Sequence, residues 1–496
     1  MASEQKKFTR EEVYLAALLH DIGKFWQRAD EDGARRSILL SDYIKNILAH
    51  EICPVNEKGY SHKHVLWTAQ FFETHNNVFK NLIKSKAEII YGDLMLLSSR
   101  HHNPATVFEK IIQKADHYSA GMDRTKENGW KDAAEENDEK WDAFKRIQAR
   151  PIFSVIGNNI NTNLKTPVSP LSLNDEFITY KETEYNYNKL WDEFTSEFKF
   201  IQNASFKAFV ETLISLLEKY TTRIPASTKE LPDVSLFDHL KTTAAFALCL
   251  YDYIEDKSNF RLIPSQEEKP FLLLGGDLSG IQKFIYTITP RRAVKNLKGR
   301  SFYLQLLINN IVNFYIDELN LFSSNIIYQS GGAFYIITPN NKNTIEKINK
   351  ISKEIEIRLF NYHSTDIYLA TDYIEFGEKE LFENIGEIWY QLTEKLGYKK
   401  GHRFENIIKE KYSLLFQPDN KSGADARRDY ITGEPLTGDG IPLEKDNNET
   451  LVNSYTYKQI ELGQKLRDAD FWIQSKVIID YWKNDFFDPV GLGYYN

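Results

Sequence analysis

Between residues 270 and 375 the hydrophobic period changes repeatedly, and no other stretch limits the fold so tightly. FLLLGGD reads as a strand, followed by a long amphipathic helix at about 296–319. NIIYQS and AFYIIT then flank Gly331-Gly332, a pair suited to the positive φ of a two-residue hairpin loop. A helix, NTIEKINKISKEIEIRLF, and a strand, DIYLATDY, complete the run. The order βαββαβ is that of a ferredoxin-like unit.

The flanking sequence is different in kind. Residues 9–125 carry apolar positions at helical spacing in EEVYLAALLHDIGKFWQRA, SHKHVLWTAQFFETH and AEIIYGDLMLLSSRHH, with no strand signal. After Asp123 comes a polar, acidic stretch, RTKENGWKDAAEENDEKWD, which reads as a solvated helix or linker and sets a boundary near residue 125. Residues 146–260 are mixed, with helical periodicity in YNKLWDEFTSEF and SLFDHLKTTAAFALCLYDYIED; Ser235 and Asp238 mark a capped helix start. A helix over about 377–398 precedes a turn-rich region, 415–450, and the chain closes with a helix ending KLRDAD and a strand-like FWIQSKVIID.

At 496 residues the chain is too long for one core and divides into several domains. No apolar run approaches the about 18 residues of a membrane span, and the amino terminus lacks a secretory core, so a cytoplasmic protein is expected. Cys53 and Cys249 are isolated, which excludes a disulfide framework and a cysteine-based zinc site. A net charge of -8 argues against coating nucleic acid over the whole surface, leaving only local basic patches.

His20-Asp21 places an imidazole and a carboxylate on one helical segment, a mixed donor set that borderline divalent metals accept. The helices also supply His62 and His64 at a start, His101-His102 at an end, and Asp116 beyond. A two-metal site needs this clustered supply; otherwise these are helix-terminal histidines favoured by the dipole or by solvation. Lys24, one turn beyond His20, is either a phosphate-stabilising cation or a solvated surface lysine.

Gly275-Gly276-Asp277 and Ser279-Gly280 read as a glycine-rich turn at a strand end, where backbone approaches a phosphate closely. A tight strand-to-helix turn with an ordinary cap is the simpler alternative. Arg291, Arg292, Lys295, Lys298 and Arg300 add five cations in ten residues ahead of Ser301, either a solvated face or a cradle for a triphosphate or an RNA backbone.

LLHDIGKFWQR, SHKHVLWTAQFF, SSRHHNP and KADHYSAGMDR, in that order, resemble the HD domain of the large subunit of type III CRISPR effector complexes, the Csm-type single-strand DNase and cyclic oligoadenylate synthetase. FLLLGGDLSGIQKFIYTITPRRAVKNLKGRSFYLQLL resembles that subunit's first palm domain, and SLFDHLKTTAAFA and ELGQKLRDADFWI match further blocks. The resemblance implies a multidomain α and α+β chain. Its parts are a helical HD domain at 1–125, a linker and helical segment at 126–260, a ferredoxin-like palm at 261–376, a small helical domain at 377–454 and the start of a second palm at 455–496. It implies metal ligands at His20, Asp21, His64, His101, His102 and Asp116, with His62 the weaker of its pair, and catalytic roles for His20, Asp21 and Lys24. The expected ion is Mn²⁺, Ni²⁺ or Mg²⁺. ATP is expected at Gly276, Asp277, Ser279, Lys298, Arg300 and Ser301. Implied partners are the other subunits of a type III-A complex, guide and target RNA, and a single-stranded DNA substrate, with no membrane.

Two departures from the family are visible. The hairpin Ser330-Gly331-Gly332-Ala333-Phe334 lacks paired carboxylates, as expected of a first palm, and the sequence ends at Asn496 before any Gly-Gly-Asp-Asp, as in a chain truncated within the second palm. Oligoadenylate synthesis is therefore not expected of this chain alone. RRDYITGEPLTGDG stands where many relatives carry a zinc ribbon, has no cysteine, and is expected to hold no structural zinc and to rely on turn residues. A scaffold or ATP-binding subunit with a weak or inactive metal site is the alternative function.

Overall fold

The first helix starts at a capping box. Glu12 N donates to Thr9 Oγ1 at 3.2 Å and Thr9 N to Glu12 Oε2 at 2.6 Å, satisfying two amides the helix itself leaves unpaired. The computed structural model describes residues 8–32, 37–57, 59–83, 91–121, 143–154, 164–172, 186–201, 205–228, 231–257, 263–288, 293–416, 427–436, 438–443, 450–478 and 487–496. Asp123, the acidic stretch after it, Arg291 and Arg292 lie outside the described residues.

The amino-terminal part is helical: α1 (Arg10–Leu18), α2 (Ile22–Ala29), α3 (Ala49–Ile52), α4 (His64–Thr74), α5 (Asn76–Ile83), α6 (Tyr91–Ser99) and α7 (Val107–Gly121). The helical periodicity is realised, but a two-residue antiparallel ladder, β1 (Val55–Asn56) with β2 (Gly59–Tyr60), interrupts it where no strand was expected. So short a ladder leaves no alternating pattern to read. From Glu12 to Leu18 every residue of α1 is buried, because α6, α7 and α10 (Leu236–Asp256) surround it. Ahead of α10 come α8 (Tyr187–Phe198) and α9 (Phe206–Thr221). α10 starts at the expected cap, Ser235 Oγ accepting from Asp238 N at 2.9 Å.

The second part is a four-stranded antiparallel sheet. β3 (Phe271–Ser279) leads through α11 (Ile281–Tyr286) and α12 (Ala293–Glu318) to β4 (Ile326–Ser330) and β5 (Ala333–Pro339). α13 (Lys342–His363) then returns to β6 (Tyr368–Phe376). The strand order is β4-β5-β3-β6, all antiparallel, which is the expected ferredoxin-like connectivity. Gly331 and Gly332 turn the β4–β5 hairpin with φ of 61° and 86°.

Gly275-Gly276 is not a turn. Both residues lie inside β3, paired with β5 on one side and β6 on the other. A Cβ on Gly276 would stand 2.2 Å from the ring of Phe334, so glycine here makes room for packing and not for a phosphate. The tight turn comes later, at Gly280, whose φ is 95°.

Beyond the sheet the expected helix divides into α14 (Glu378–Glu383) and α15 (Ile385–Gly401), followed by α16 (Glu405–Leu415). The turn-rich loop is organised by Asp429, 2% exposed, whose carboxylate accepts from Ile431 N, Thr432 N and Asn453 N. β7 (Ile441–Pro442) pairs with β8 (Leu451–Val452), and α17 (Ser454–Lys465) packs on α12. The strand expected at FWIQSKVIID does not form over its described residues, 471–478; one bridge, Ser475 with Tyr495, is the only pairing there. Apolar β-branched residues make a strand only where a neighbour completes the ladder.

The helical part and the sheet share one buried core. Tyr14 of α1 meets Phe322 at a ring-centroid distance of 4.3 Å, and Tyr118 of α7 meets Phe271 of β3 at 5.5 Å. α10 bridges the two parts, packing on α1 and α7 and also on β5.

Candidate metal centre

Seven side chains converge beneath the surface of the helical part. Asp21, His64, His101 and His102 form one group, and His20, Asp21, Asp116 and His239 a second; within each, the candidate ligand atoms lie within 4.8 Å of one another. Asp21 belongs to both. All six histidines and carboxylates expected as ligands come together, and His239 joins them from α10, 123 positions beyond Asp116 in sequence.

The local chain explains the convergence. His20 and Asp21 occupy the break between α1 and α2, so both leave the helical ladder pointing inward. Gly23, two residues on, lets α4 close on α2: a Cβ there would stand 2.1 Å from His64 O and 2.5 Å from Thr68 N. Thr68 Oγ1 fastens the approach, accepting from Gly23 N at 3.1 Å and donating to His20 O at 2.9 Å. The result sets His64 Nε2 2.9 Å from Asp21 Oδ1. The turn after α6 carries His101-His102, and α7 presents Asp116 to His20 at 3.4 Å and to His239 at 3.1 Å.

The imidazoles are oriented from behind. His20 Nδ1 lies 2.8 Å from Ala17 O, and His101 Nδ1 2.8 Å from Ser98 O. A carbonyl only accepts, so both rings carry hydrogen on Nδ1 and turn Nε2 toward the centre. Facing that centre, His101 Nε2 is buried without a hydrogen bond, with Asp21 Oδ1 3.6 Å away, and Asp21 Oδ1 itself has only the close contact with His64 Nε2 at 2.9 Å. Buried polar atoms so thinly satisfied are costly unless something else completes them, and a cation between carboxylate oxygens and imidazole nitrogens does so. The donor set therefore fits divalent ions.

Charge in the site is tightly coupled. Burial alone would raise the Asp21 carboxyl, but Lys24, His20 and His64 hold it well below the usual carboxylate range. Asp116 is likewise held low against its burial by His20 and His239. Burial opposes charge on His20 too, yet Asp21 and Asp116 push it up to about 9. Burial dominates at His64, pushing it down to about 4 in spite of Asp21, and it also lowers His102. Lys24 Nζ sits 2.6 Å from Asp21 Oδ2 with its side chain 24% exposed, at the rim and not free in solvent. His62 is exposed beside His102, with ring centroids 4.1 Å apart, and belongs to neither ligand group.

The residues expected to hold a nucleotide have mixed fates. Gly276 is buried in β3. Arg300 is 5% exposed and turned inward, donating to Phe284 O at 2.7 Å and Gln459 Oε1 at 3.1 Å, with its guanidinium 3.9 Å over the Phe284 ring. Asp277 pairs with Lys400 at 2.5 Å and Ser279 donates to Tyr368 O at 3.3 Å. Lys298 and Ser301 are exposed on α12.

Residues 270–418 match the family model described as Csm1 subunit domain B. The chain is 32% identical over 450 residues to the CRISPR system single-strand-specific deoxyribonuclease Cas10/Csm1 (subtype III-A) of Methanocaldococcus jannaschii, covering 82% of this chain and 51% of that protein. To the protein of the same description from Streptococcus thermophilus it is 29% identical over 423 residues, covering 79% and 50%. Among solved structures, a Csm1-Csm4 cassette in complex with one ATP aligns with a TM-score of 0.57 at 23% identity, over 82% of this chain and 50% of that one. Csm1 of T. onnurineus gives 0.55 at 22%, over 80% and 50%. The chain spans about half the length of the curated relatives it matches. Over the part of those proteins that it spans, the chain belongs to the Cas10/Csm1 family of subtype III-A.

Proposed function

We propose that the helical centre is an HD-type, two-metal phosphodiesterase that cuts single-stranded DNA, carried by the large subunit of a type III-A CRISPR interference complex. The observation that carries this reading is Asp21, one buried carboxylate common to two ligand groups. Five imidazoles and two carboxylates favour Mn²⁺ or Ni²⁺ over Mg²⁺, which prefers oxygen. Ions held there would polarise a scissile phosphodiester and lower the pKa of a water molecule.

The chain's own part is positional. Asp21 bridges the two groups and fixes their separation, while Ala17 O and Ser98 O aim two of the imidazoles. Lys24, at the rim, supplies a cation where a phosphate approaches. His102 is the least buried of the ligands and marks the side from which a strand enters.

In this reading residues 1–125 carry six of the seven side chains of the HD centre and α10, within the 126–260 segment that leads into a palm at 261–376, supplies the seventh; a small helical domain at 377–454 and the start of a second palm at 455–496 follow. ATP would bind at the palm by way of Asp277, Ser279, Lys298 and Ser301, since Arg300 is committed to internal partners. Support comes from the relatives: Csm1-Csm4 cassettes have been solved with one ATP and with cA4. A Csm4-like subunit, guide RNA and target RNA are the corresponding partners.

The test is cleavage of labelled single-stranded DNA by the purified chain with Mn²⁺ or Ni²⁺, beside a direct count of bound metal. His20→Ala, Asp21→Ala and His239→Ala are each expected to lose cleavage and at least one ion. Absence of both binding and cleavage in the unaltered chain would refute the reading.

A further inference from the structure

His239 differs from His20 and His101 in how its ring is held. Its Nδ1 lies 2.9 Å from Ser119 Oγ, and Ser119 Oγ lies 2.6 Å from Thr242 Oγ1. Thr242 Oγ1 in turn donates to Asp238 O at 2.7 Å, one turn back along α10. His239 and Ser119 are 2% and 6% exposed, so bulk water does not compete for their contact, whereas Thr242 is half-buried and its bond to Asp238 O lies at the surface.

A hydroxyl both donates and accepts, so Ser119 alone leaves the sense of its bond to His239 open. The carbonyls around the pair favour one sense. Thr242 Oγ1 has Asp238 O at 2.7 Å and His239 O at 3.3 Å as acceptors, and Ser119 Oγ has His239 O at 3.2 Å besides Thr242. With the Thr242 hydrogen on Asp238 O, Ser119 gives its own to Thr242 or to His239 O and in either case offers His239 only a lone pair, which places the hydrogen on Nδ1. With Nδ1–H fixed, Nε2 meets Asp21 Oδ2 at 3.2 Å, Asp116 Oδ1 at 3.1 Å and His20 Nε2 at 3.2 Å, the other members of the second ligand group.

The spacing suits the task. Asp116 and Ser119 are three residues apart on α7, His239 and Thr242 three apart on α10, so each helix offers one group to the ion and one to the relay. We infer that Ser119 and Thr242 are positioning residues: together they set the tautomer of His239 and so maintain the second ion site. The inference rests on the two-metal reading above.

The experiment counts bound Co²⁺ by equilibrium dialysis and visible spectroscopy on the full chain, without reference to cleavage. The unaltered chain is expected to take two ions. Ser119→Ala should weaken one of them by about 10- to 100-fold and leave the other unchanged. Thr242→Val, which keeps the shape and removes the hydroxyl, should weaken the same ion by about three- to tenfold, and Thr242→Ser should restore it. Should Ser119→Ala not fold, the two Thr242 variants decide.

Two ions held equally well by the unaltered chain, Ser119→Ala and Thr242→Val would overturn the relay. So would a Thr242→Ser as weak as Thr242→Val, because packing and not the hydroxyl would then be responsible. An unaltered chain that takes no Co²⁺ brings down the two-metal reading itself, a result the variants cannot mimic.

Discussion

Gly23→Ala should destabilise this protein, although glycine to alanine near a helix start ordinarily does the opposite. In an unobstructed helix the exchange gains about 0.5–1 kcal/mol from reduced backbone entropy and better propensity. Here the new Cβ would meet His64 O at 2.1 Å, Thr68 N at 2.5 Å and Thr68 Oγ1 at 2.6 Å. Two of those atoms are backbone, so relief requires α2 and α4 to separate by about 1 Å, an overpacking strain of about 1–3 kcal/mol. Separation also breaks the Gly23–Thr68 and Thr68–His20 hydrogen bonds, at about 1 kcal/mol each. Set against the propensity gain, the net loss is about 2–4 kcal/mol. The same movement draws His64 away from Asp21 Oδ1, and ligand distances tolerate only about 0.2 Å, so one of two ions should be lost. Guanidinium denaturation in chelator, followed by an ion count, measures both effects. A variant that unfolds at or above the wild-type midpoint and still binds two ions would refute the close-approach argument.

Acid should act through His363, which burial and then Arg300 push down to about 3. Its ring lies between the hydroxyls of Tyr303 and Tyr455, at 2.8 and 3.0 Å from Nε2. The unfolded chain titrates near the ordinary value of about 6.5 and binds the proton first, so stability is full above that pH and falls on acidification toward 3. At pH 5 the loss is about 2 kcal/mol relative to pH 8, and His363→Gln should lack that component of the pH dependence; parallel curves for the two proteins would show the group to be silent. Arg300→Ala should cost about 2–4 kcal/mol by leaving Phe284 O and Gln459 without their donor. Normal stability with abolished ATP binding would instead return Arg300 to the nucleotide site.

What the sequence made legible was local. The βαββαβ order, the hairpin at Gly331-Gly332 and the cap at Ser235 are written in period, turn chemistry and one side chain, and each appears where expected. The clustering of the candidate residues was readable as far as Asp116 because they sit in four short blocks. His239 was missed although its block, SLFDHLKTTAAFA, had been singled out. One histidine on a long apolar helix carries no periodic signal, and only tertiary packing brings it beside His20. Gly275-Gly276 misled for the reverse reason: paired glycines usually mark turns, whereas Phe334 across the sheet and Leu392 from α15 require them within a strand.

α10 gives the molecule a mechanical property that neither half has alone. Its 21 residues span about 30 Å. His239 lies in its first turn, and further along Phe246 rests on Phe271 of β3 at 5.0 Å while Asn325 reaches Cys249 beside Ile337 O. A rod clamped at the sheet and carrying His239 of the candidate metal centre at its other end ties the geometry of that centre to the position of the sheet. If a molecule docked on the sheet shifts that rod, ion affinity changes by some factor, and thermodynamic linkage requires the ions to change the affinity of the docked molecule by the same factor.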